Sequence, residues 1–136
     1  MAYGLTAGLH SLDPGEIDRW LEGVEAGNLY VNRHITGAIV RRQPFGGGKR
    51  SSVGGGPKAG GPDYVAAFRR PASVPVDAEA ARAAYRQAWT DRFGIDSDPS
   101  ALVSEANIHR YRSLRSVVIR VGADPPAGAV DAARAA

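Results

Sequence analysis

Residues 27–62 contain the side chains whose types and spacing could bind an anion. Ten of the seventeen glycines and three of the nine prolines lie here, among arginines and lysines. Because glycine adopts backbone conformations that other residues avoid, this composition predicts a loop whose backbone approaches a ligand or another segment closely. Residues 33–70 carry eight basic residues and one acidic residue, a net charge of +7 against −4 for the rest of the chain. The stretch therefore indicates an anionic partner, either a small ligand or a nucleic acid.

The glycines do not match the two best-known phosphate-binding loops. A Walker loop requires a glycine, four residues and then Gly-Lys-Ser/Thr, but Gly48-Lys49 has neither the earlier glycine nor the following hydroxyl residue. The dinucleotide fingerprint follows a strand and opens a helix, whereas Gly54–Gly56 runs into a proline and no strand leads directly to it. The sequence therefore predicts neither loop.

Residue types that perform catalysis are absent or scattered. The chain has no cysteine, which excludes a disulfide framework, a thiolate zinc site and a cysteine nucleophile among these residues. His10, His34 and His109 are too widely separated to predict a metal triad. Asp96 and Asp98 lie in a polar turn, where a capping role is the simpler interpretation. Spacing alone thus predicts no catalytic residue and no metal site.

The overall composition is that of one globular domain. At 136 residues the chain is long enough for a single core, and glycine plus proline amount to 26 of them. That share is below the roughly 25–30% at which disorder is the default interpretation. No apolar run approaches the ~20 residues of a membrane span, and Met1 is not followed by a secretory leader. We therefore predict a soluble, cytoplasmic protein.

Two strands and a helix precede the glycine-rich loop. Residues 4–11 place Leu5, Ala7 and Leu9 on one face by strict alternation, and residues 28–32 form a second strand-like run. The region between them is amphipathic with a helical period. Strand, helix and strand in such close succession predict a βαβ unit with parallel strands and a right-handed crossover.

The connecting helix has a start signal, a stop signal and an apolar face. Ser11 or Asp13 is the N-cap, and Pro14 lies in the first turn. Gly27 is placed to end the helix. The residues spaced along one apolar face are Ile17, Trp20, Leu21 and Val24.

The pattern is less regular after the loop. Residues 63–70 predict either a helical turn or a strand, and Pro71 and Pro75 mark a break. Residues 77–93 have a helical period again, and Gly94 ends the predicted helix.

The C-terminal part is predicted to contain one more strand and a tail. Residues 115–121 are rich in β-branched side chains, which favours a strand. The composition of the last thirteen residues is typical of a frayed terminus. We therefore expect three parts: a domain over 1–70, a helix–strand extension over 71–123 and a flexible tail over 124–136.

Motifs across residues 2–70 resemble the C-terminal part of aldehyde dehydrogenases. They are YGLTAGLHS, AGNLYVNRHITGAIVRRQPFGG and KAGGPDY. The specific likeness is to L-glutamate γ-semialdehyde (Δ1-pyrroline-5-carboxylate) dehydrogenases, including the dehydrogenase half of bifunctional proline-catabolising enzymes. Residues 77–121 resemble, more weakly, the C-terminal extension of some bacterial members. The resemblance implies an α/β fold: a partial aldehyde dehydrogenase catalytic domain, with a βαβ unit and a glycine-rich loop, followed by a helix and strand extension.

The resemblance also implies substrate-binding residues. The backbone N–H groups of Gly37 and Ala38 correspond to the loop that anchors the α-carboxylate end of glutamate semialdehyde. Phe45, in QPFGG, corresponds to the aromatic residue that lines the aldehyde pocket, and an ordinary core aromatic is the alternative interpretation. The family usually has a larger residue where Gly48 stands, so the turn after QPFGG is expected to differ.

The resemblance implies NAD-dependent oxidation of glutamate semialdehyde to glutamate, in proline catabolism. In the family the nucleophilic cysteine, the general-base glutamate and the NAD-binding domain lie upstream of the matching region. We therefore expect no catalytic residue and no NAD binding from this chain alone. Our interpretation is a truncated or split dehydrogenase, inactive alone, that pairs with a separate N-terminal half or with itself. The alternative is a basic, glycine-rich nucleic-acid-binding module, although aromatic residues are hardly interleaved with its charges.

Overall fold

The computed structural model describes most of the chain, namely residues 1–52, 57–70, 77–125 and 128–135. Two features noted in the sequence lie outside these residues: the Gly54–Gly56 run and the break at Pro71 and Pro75. The chain divides into two compact units. The first unit comprises Met1–Arg70 with Pro99–Asn107, and the second comprises Pro71–Asp98 with Ile108–Ala136.

The regular elements are short. In chain order the described residues form β1 Tyr3–Gly4, β2 Thr6–Leu9, α1 Pro14–Gly23, β3 Asn28–Val31, β4 Gly48–Lys49, a 3₁₀-helix Tyr64–Phe68, α2 Ala78–Ala88, a π-helical turn Trp89–Phe93 and α3 Ala129–Ala135. None of the helices among these residues is long and apolar enough to cross a membrane.

The predicted βαβ unit is confirmed in the first unit. β2 and β3 are parallel, with Thr6 opposite Asn28 and Leu9 opposite Val31, and α1 connects them. Tyr30, on β3, is the most thoroughly buried aromatic side chain of this unit at 3% exposure. The alternating pattern of the sequence therefore located both strands and their pairing.

Asp13 determines where α1 begins. Its carboxylate accepts hydrogen bonds from Gly15 N at 2.8 Å and Glu16 N at 3.3 Å, and Pro14 occupies the first helical position. These bonds satisfy two of the N–H groups that every helix leaves open at its start. Of the two predicted caps, the structure thus selects Asp13, and Ser11 instead accepts a hydrogen bond from Asp13 N.

The predicted end of α1 at Gly27 is wrong. The helix ends at Gly23, and Val24, as the C-cap, has an extended backbone with its N–H donating to Trp20 O at 2.9 Å. A glycine after an apolar helix usually marks its terminus. Here Gly27 is required for a different reason, which lies in tertiary packing.

Gly27 lies where three backbone segments meet. A Cβ atom on Gly27 would overlap Gly46 O and lie 2.6 Å from Gly47 Cα, and a Cβ on Gly47 would lie 2.8 Å from Gly4 O. Gly27 N–H also donates to Gly4 O at 2.9 Å. The absence of side chains therefore permits a direct backbone contact that no other residue type allows.

β1 and β4 extend this contact. They pair antiparallel, with Gly4 opposite Gly48. Gly4 N–H also donates to Ser51 Oγ at 3.2 Å, and Lys49 Nζ forms an ion pair with Glu25 Oε2 at 3.0 Å. The segment after Phe45 is thereby fixed across the start of the βαβ unit.

Apolar burial is limited in the described residues. Leu5, Leu12 and Ile35 in the first unit are 54%, 94% and 46% exposed. Exposed apolar residues in this number favour association. Self-association, or pairing with a separate dehydrogenase half, stays a prediction, and these exposed apolar side chains are a reason to expect it.

The second unit contains the predicted helix. α2 begins after Asp77, whose carboxylate accepts from Ala80 N at 2.8 Å, and continues into the π-helical turn. That turn closes with Gly94 N donating to Trp89 O at 2.7 Å, an i→i+5 bond. The helix and its end at Gly94 are therefore confirmed. Residues 63–70 of the first unit, left open between helix and strand, contain the 3₁₀-helix.

Residues 115–121 do not form the predicted strand. None of them is assigned to a strand, and Val117 and Val118 are 67% and 92% exposed. β-branched residues favour a strand only when a partner strand pairs with their backbone and a surface covers their side chains. The predicted tail, residues 124–136, contains α3. Alanine-rich composition favours that helix, and the domain boundaries themselves stay predictions.

We predict that Gly27→Ala lowers the thermal midpoint by about 4 °C or more, since the added methyl must push the Gly46 carbonyl away and overpacking costs about 1–3 kcal/mol. Circular dichroism at matched protein concentration measures this. Gly23→Ala is the control, because a Cβ there meets nothing within 4 Å and alanine is favoured in a helix. Equal midpoints for Gly27→Ala and the wild type would contradict the packing described above.

Candidate functional site

The candidate site begins on the loop that follows β3, residues 33–43. Gly37 has φ of +93°, a conformation that side-chain-bearing residues rarely adopt. A Cβ at this position would meet nothing within 4 Å, so backbone conformation rather than space requires glycine. Gly37 is exposed and Ala38 is half-buried. Within the described part of the chain, no hydrogen bond engages the N–H group of either residue.

A tight turn closes the 33–43 loop. Ile39 N donates to Gln43 O at 3.1 Å and Gln43 N donates to Ile39 O at 2.9 Å. Arg41, at the tip, has φ of +66° and its N–H donates to Gly60 O at 3.0 Å. Gly37 precedes this pair by two residues and Phe45 follows it by two, so both are close to the turn along the chain.

Phe45 is presented at the surface by a second backbone pairing. Its N–H donates to Ala59 O at 2.9 Å in an antiparallel bridge. The bridge joins the QPFGG and KAGGP motifs, which are separate in sequence. The side chain is 51% exposed. This exposure is more consistent with the pocket-lining role predicted for Phe45 than with an ordinary core position, and the role itself stays a prediction.

Lys58 and Asn28 attach these motifs to the βαβ unit. Asn28 Nδ2 donates to Pro44 O at 3.0 Å, and Lys58 Nζ donates to Gly27 O. Desolvation by burial lowers the pKa of Lys58 below its usual value of 10.5. The half-buried lysine thus bonds to the backbone just before β3 instead of extending fully into solvent, as most lysines do.

A polar cluster that no sequence pattern indicated involves both ends of the 33–43 loop. Gln43 and Asn107 are each 7% exposed, and Gln43 Nε2 donates to Asn107 Oδ1 at 2.7 Å. Glu105 forms ion pairs with Arg33 at 2.9 Å and with Arg42 at 3.5 Å. Gln43 and Asn107 are 64 positions apart, so no local sequence pattern indicates that they pair.

The acidic and histidine side chains of the described residues do not gather into a metal site. No cluster of three or more histidine, aspartate or glutamate side chains among them could hold a metal ion. His10 and His34 are exposed, and His109 lies in the second unit against the ring of Tyr111. The chemistry available at Gly37 and Ala38 is hydrogen-bond donation from the backbone, which suits a carboxylate.

The βαβ unit does not fit the pyrophosphate of a dinucleotide. In dinucleotide-binding units the pyrophosphate lies at the N-terminus of the connecting helix, above a glycine-rich turn. In α1 that position is taken by the carboxylate of Asp13, which accepts from the first open N–H groups. A second anion there would be repelled and would find fewer donors.

Comparison with known proteins connects these residues to one family. The sequence profile described as "Aldehyde dehydrogenase family" matches residues 1–74, just over half of the chain. The chain is 51% identical to the bifunctional protein PutA of Rhizobium meliloti over 73 residues, which is 54% of this chain and 6% of that protein. It is 52% identical to the 1-pyrroline-5-carboxylate dehydrogenase of Bacillus subtilis over 63 residues, 46% of this chain and 12% of that protein.

A solved structure gives the same result for the fold. The structure of proline utilization A (PutA) from Corynebacterium freiburgense is 45% identical, with a TM-score of 0.69, over 83% of this chain and 14% of that one. The 83% of this chain that is covered corresponds to about 113 residues, so the structural likeness extends beyond the 74 residues that match the family profile. The chain spans only a small part of each relative's length. Both comparisons confirm the predicted resemblance and the mixed helix–strand fold.

We predict that the stability contributed at Lys58 depends on pH. Because its folded pKa lies below 10.5, the unfolded chain binds more protons between the two pKa values, and the free energy of unfolding rises as the pH increases through that window. Urea titrations from neutral pH to about 10.5 measure this rise. Lys58→Met should remove it, whereas the matched Lys49→Met should retain it. Parallel curves for the wild type and Lys58→Met would refute a buried Lys58 amine.

Proposed function

The chain belongs to the aldehyde dehydrogenase family, and we propose that its 33–43 loop anchors the carboxylate of glutamate semialdehyde in such an enzyme. The observation that carries this proposal is the pair of N–H groups on Gly37 and Ala38. They are adjacent, they lie on a loop open to solvent, and within the described residues they make no internal hydrogen bond. Successive backbone N–H groups around a left-handed residue form a concave donor site for an anion.

The identity of the relatives supports this substrate class. Two kinds of relative, a bifunctional PutA and a 1-pyrroline-5-carboxylate dehydrogenase, are each about half identical to this chain, over 73 and 63 residues respectively. Proline catabolism is therefore the metabolic setting that we propose. In this setting Phe45 packs on the methylene groups of the substrate, next to the loop that binds its carboxylate. An aromatic ring with half of its surface exposed has that apolar area to offer.

The chemical step requires groups that these 136 residues do not contain. The resemblance implies that a cysteine thiolate attacks the aldehyde, that a glutamate acts as general base and that NAD accepts the hydride. The sequence has no cysteine, and Asp13 already occupies the helix terminus that would otherwise favour a pyrophosphate. We therefore propose that the nucleophile, the base and the NAD site are supplied by polypeptide outside these residues, such as a separate dehydrogenase half. The role of this chain is to bind and orient.

Nucleic-acid binding is the alternative prediction, and the ion pairs argue against it. Three of the eight basic residues between 33 and 70, namely Arg33, Arg42 and Lys49, are paired with glutamates. Binding to a phosphate backbone depends on cations that can contact phosphates and release counterions. Pairing with glutamates reduces the charge available for this. Substrate anchoring is thus the better supported of the two functions.

We predict that Gly37→Ala weakens the binding of L-glutamate, the reaction product, by about tenfold. Alanine at this φ costs about 1–2 kcal/mol and would rotate the donor groups away from each other. Titration with L-glutamate, followed through the NMR amide signals of Gly37 and Ala38, measures the affinity. Gly48→Ala is the control, because a Cβ at Gly48 meets nothing within 4 Å and its φ is not positive. An unchanged affinity in Gly37→Ala would exclude this loop as the anchor.

We also predict that the purified 136-residue chain produces no NADH from glutamate semialdehyde and NAD. Covalent catalysis of this kind requires a thiolate, and the chain has no cysteine to provide one. Absorbance of NADH is the measurement, and an intact 1-pyrroline-5-carboxylate dehydrogenase is the positive control. Any turnover by the pure chain would overturn the assignment of a binding role alone.

A further inference from the structure

The 99–107 segment packs with the first unit although it lies outside the residues that match the family profile. Its contact with the 33–43 loop is polar and buried. Gln43 Nε2 donates to Asn107 Oδ1 at 2.7 Å, and both residues are only 7% exposed. A buried amide that loses its partner loses a hydrogen bond that no water replaces. This pair therefore favours one arrangement of the loop's C-terminal end.

Asn107 is itself held in a fixed orientation. Its Nδ2 atom donates to Ser100 Oγ at 2.9 Å and to Glu105 Oε1 at 3.2 Å. Because the Nδ2 group of Asn107 donates to Ser100 and Glu105, the amide cannot turn over, and its oxygen faces Gln43. The 99–107 segment thus presents a preformed acceptor to the loop.

Glu105 holds both ends of the same loop. One carboxylate oxygen pairs with Arg33 at 2.9 Å and the other with Arg42 at 3.5 Å. Arg33 also lies over the ring of the buried Tyr30, with its guanidinium carbon 5.3 Å from the ring centroid. Arg33 begins the loop and Arg42 is next to its last residue. One carboxylate therefore spans the loop from its start to its end.

The middle of the loop lacks comparable support. Gly37 and Ala38 form no backbone hydrogen bond within the described residues, so their position depends on the contacts made at the loop's two ends. From this geometry we propose that Glu105 and Asn107 are positioning residues, which fix the 33–43 loop so that the Gly37 and Ala38 N–H groups converge. This positioning role rests on the carboxylate-anchoring function proposed above, because that function identifies the ligand. The docking of the loop onto the 99–107 segment can be tested separately.

Two variants and one control test the docking. Glu105→Gln keeps the side-chain volume and removes the charge, and Asn107→Ala removes the acceptor for Gln43. Glu79→Gln, in the first turn of α2, is the matched control in the second unit. Amide hydrogen exchange is measured by NMR at Ile39 and Gln43, whose cross-turn bonds report the loop. We expect about tenfold faster exchange in both variants and wild-type rates in the control.

The amides of β3, in the same unit, report whether a variant is still folded. Faster exchange at Ile39 and Gln43 with unchanged exchange on β3 supports the proposal. If Asn107→Ala accelerates exchange on β3 as well, the milder Glu105→Gln decides. Wild-type exchange throughout the loop in Glu105→Gln would overturn the proposal.

L-glutamate binding separates this inference from the function on which it rests. If the wild type binds L-glutamate and Glu105→Gln binds it several-fold more weakly, both stand. Equal affinity in Glu105→Gln overturns the positioning role and leaves the anchoring function intact. If the wild type shows no binding while exchange at Ile39 is faster in the variants, the anchoring function fails and the docking of the loop stands.

Discussion

A contact between bare backbones, at Gly27 and the Gly46–Gly47 peptide, is the constraint on which the first unit depends. No Cβ atom fits there, and the same crowding recurs between Gly47 and the carbonyl of Gly4. Because the segments touch directly, the chain after Phe45 lies across the start of the βαβ unit instead of looping away from it. At Gly4, Gly27 and Gly47 the absence of side chains thus produces close backbone packing.

Polar contacts contribute to the first unit in places where larger domains use apolar packing. Gln43 and Asn107 are buried as a pair, and Glu105 pairs with two arginines at the margin of the same cluster. Such groups add little net free energy to folding, because each must be taken out of water before it can pair. They do penalise every arrangement in which a partner is missing. A surface loop can therefore have one defined position without a large core beneath it.

Local patterns in the sequence located the elements that depend on local interactions. Alternation and helical period identified the βαβ unit, and Asp13 was among the two predicted caps for α1. The motifs also identified the family and the stretch that contains the candidate site. The errors share one cause, since Gly27 and residues 115–121 were interpreted without knowing what packs against them. The pairing of Gln43 with Asn107 could not be predicted at all, because its two members are 64 residues apart and individually ordinary.

The scarcity of buried apolar side chains has a thermodynamic consequence. The heat capacity change of unfolding arises from apolar surface that becomes hydrated, and polar surface contributes with the opposite sign. Among the described residues of the first unit, the buried side chains are few: Tyr30 and Pro44, beside the amides of Gln43 and Asn107, so this unit exposes little new apolar area when it unfolds. Its heat capacity increment is therefore small for its length, and its stability curve is shallow. Cooling weakens proteins that are stabilised by large hydrophobic cores. It would change the free energy of unfolding of the first unit only slightly.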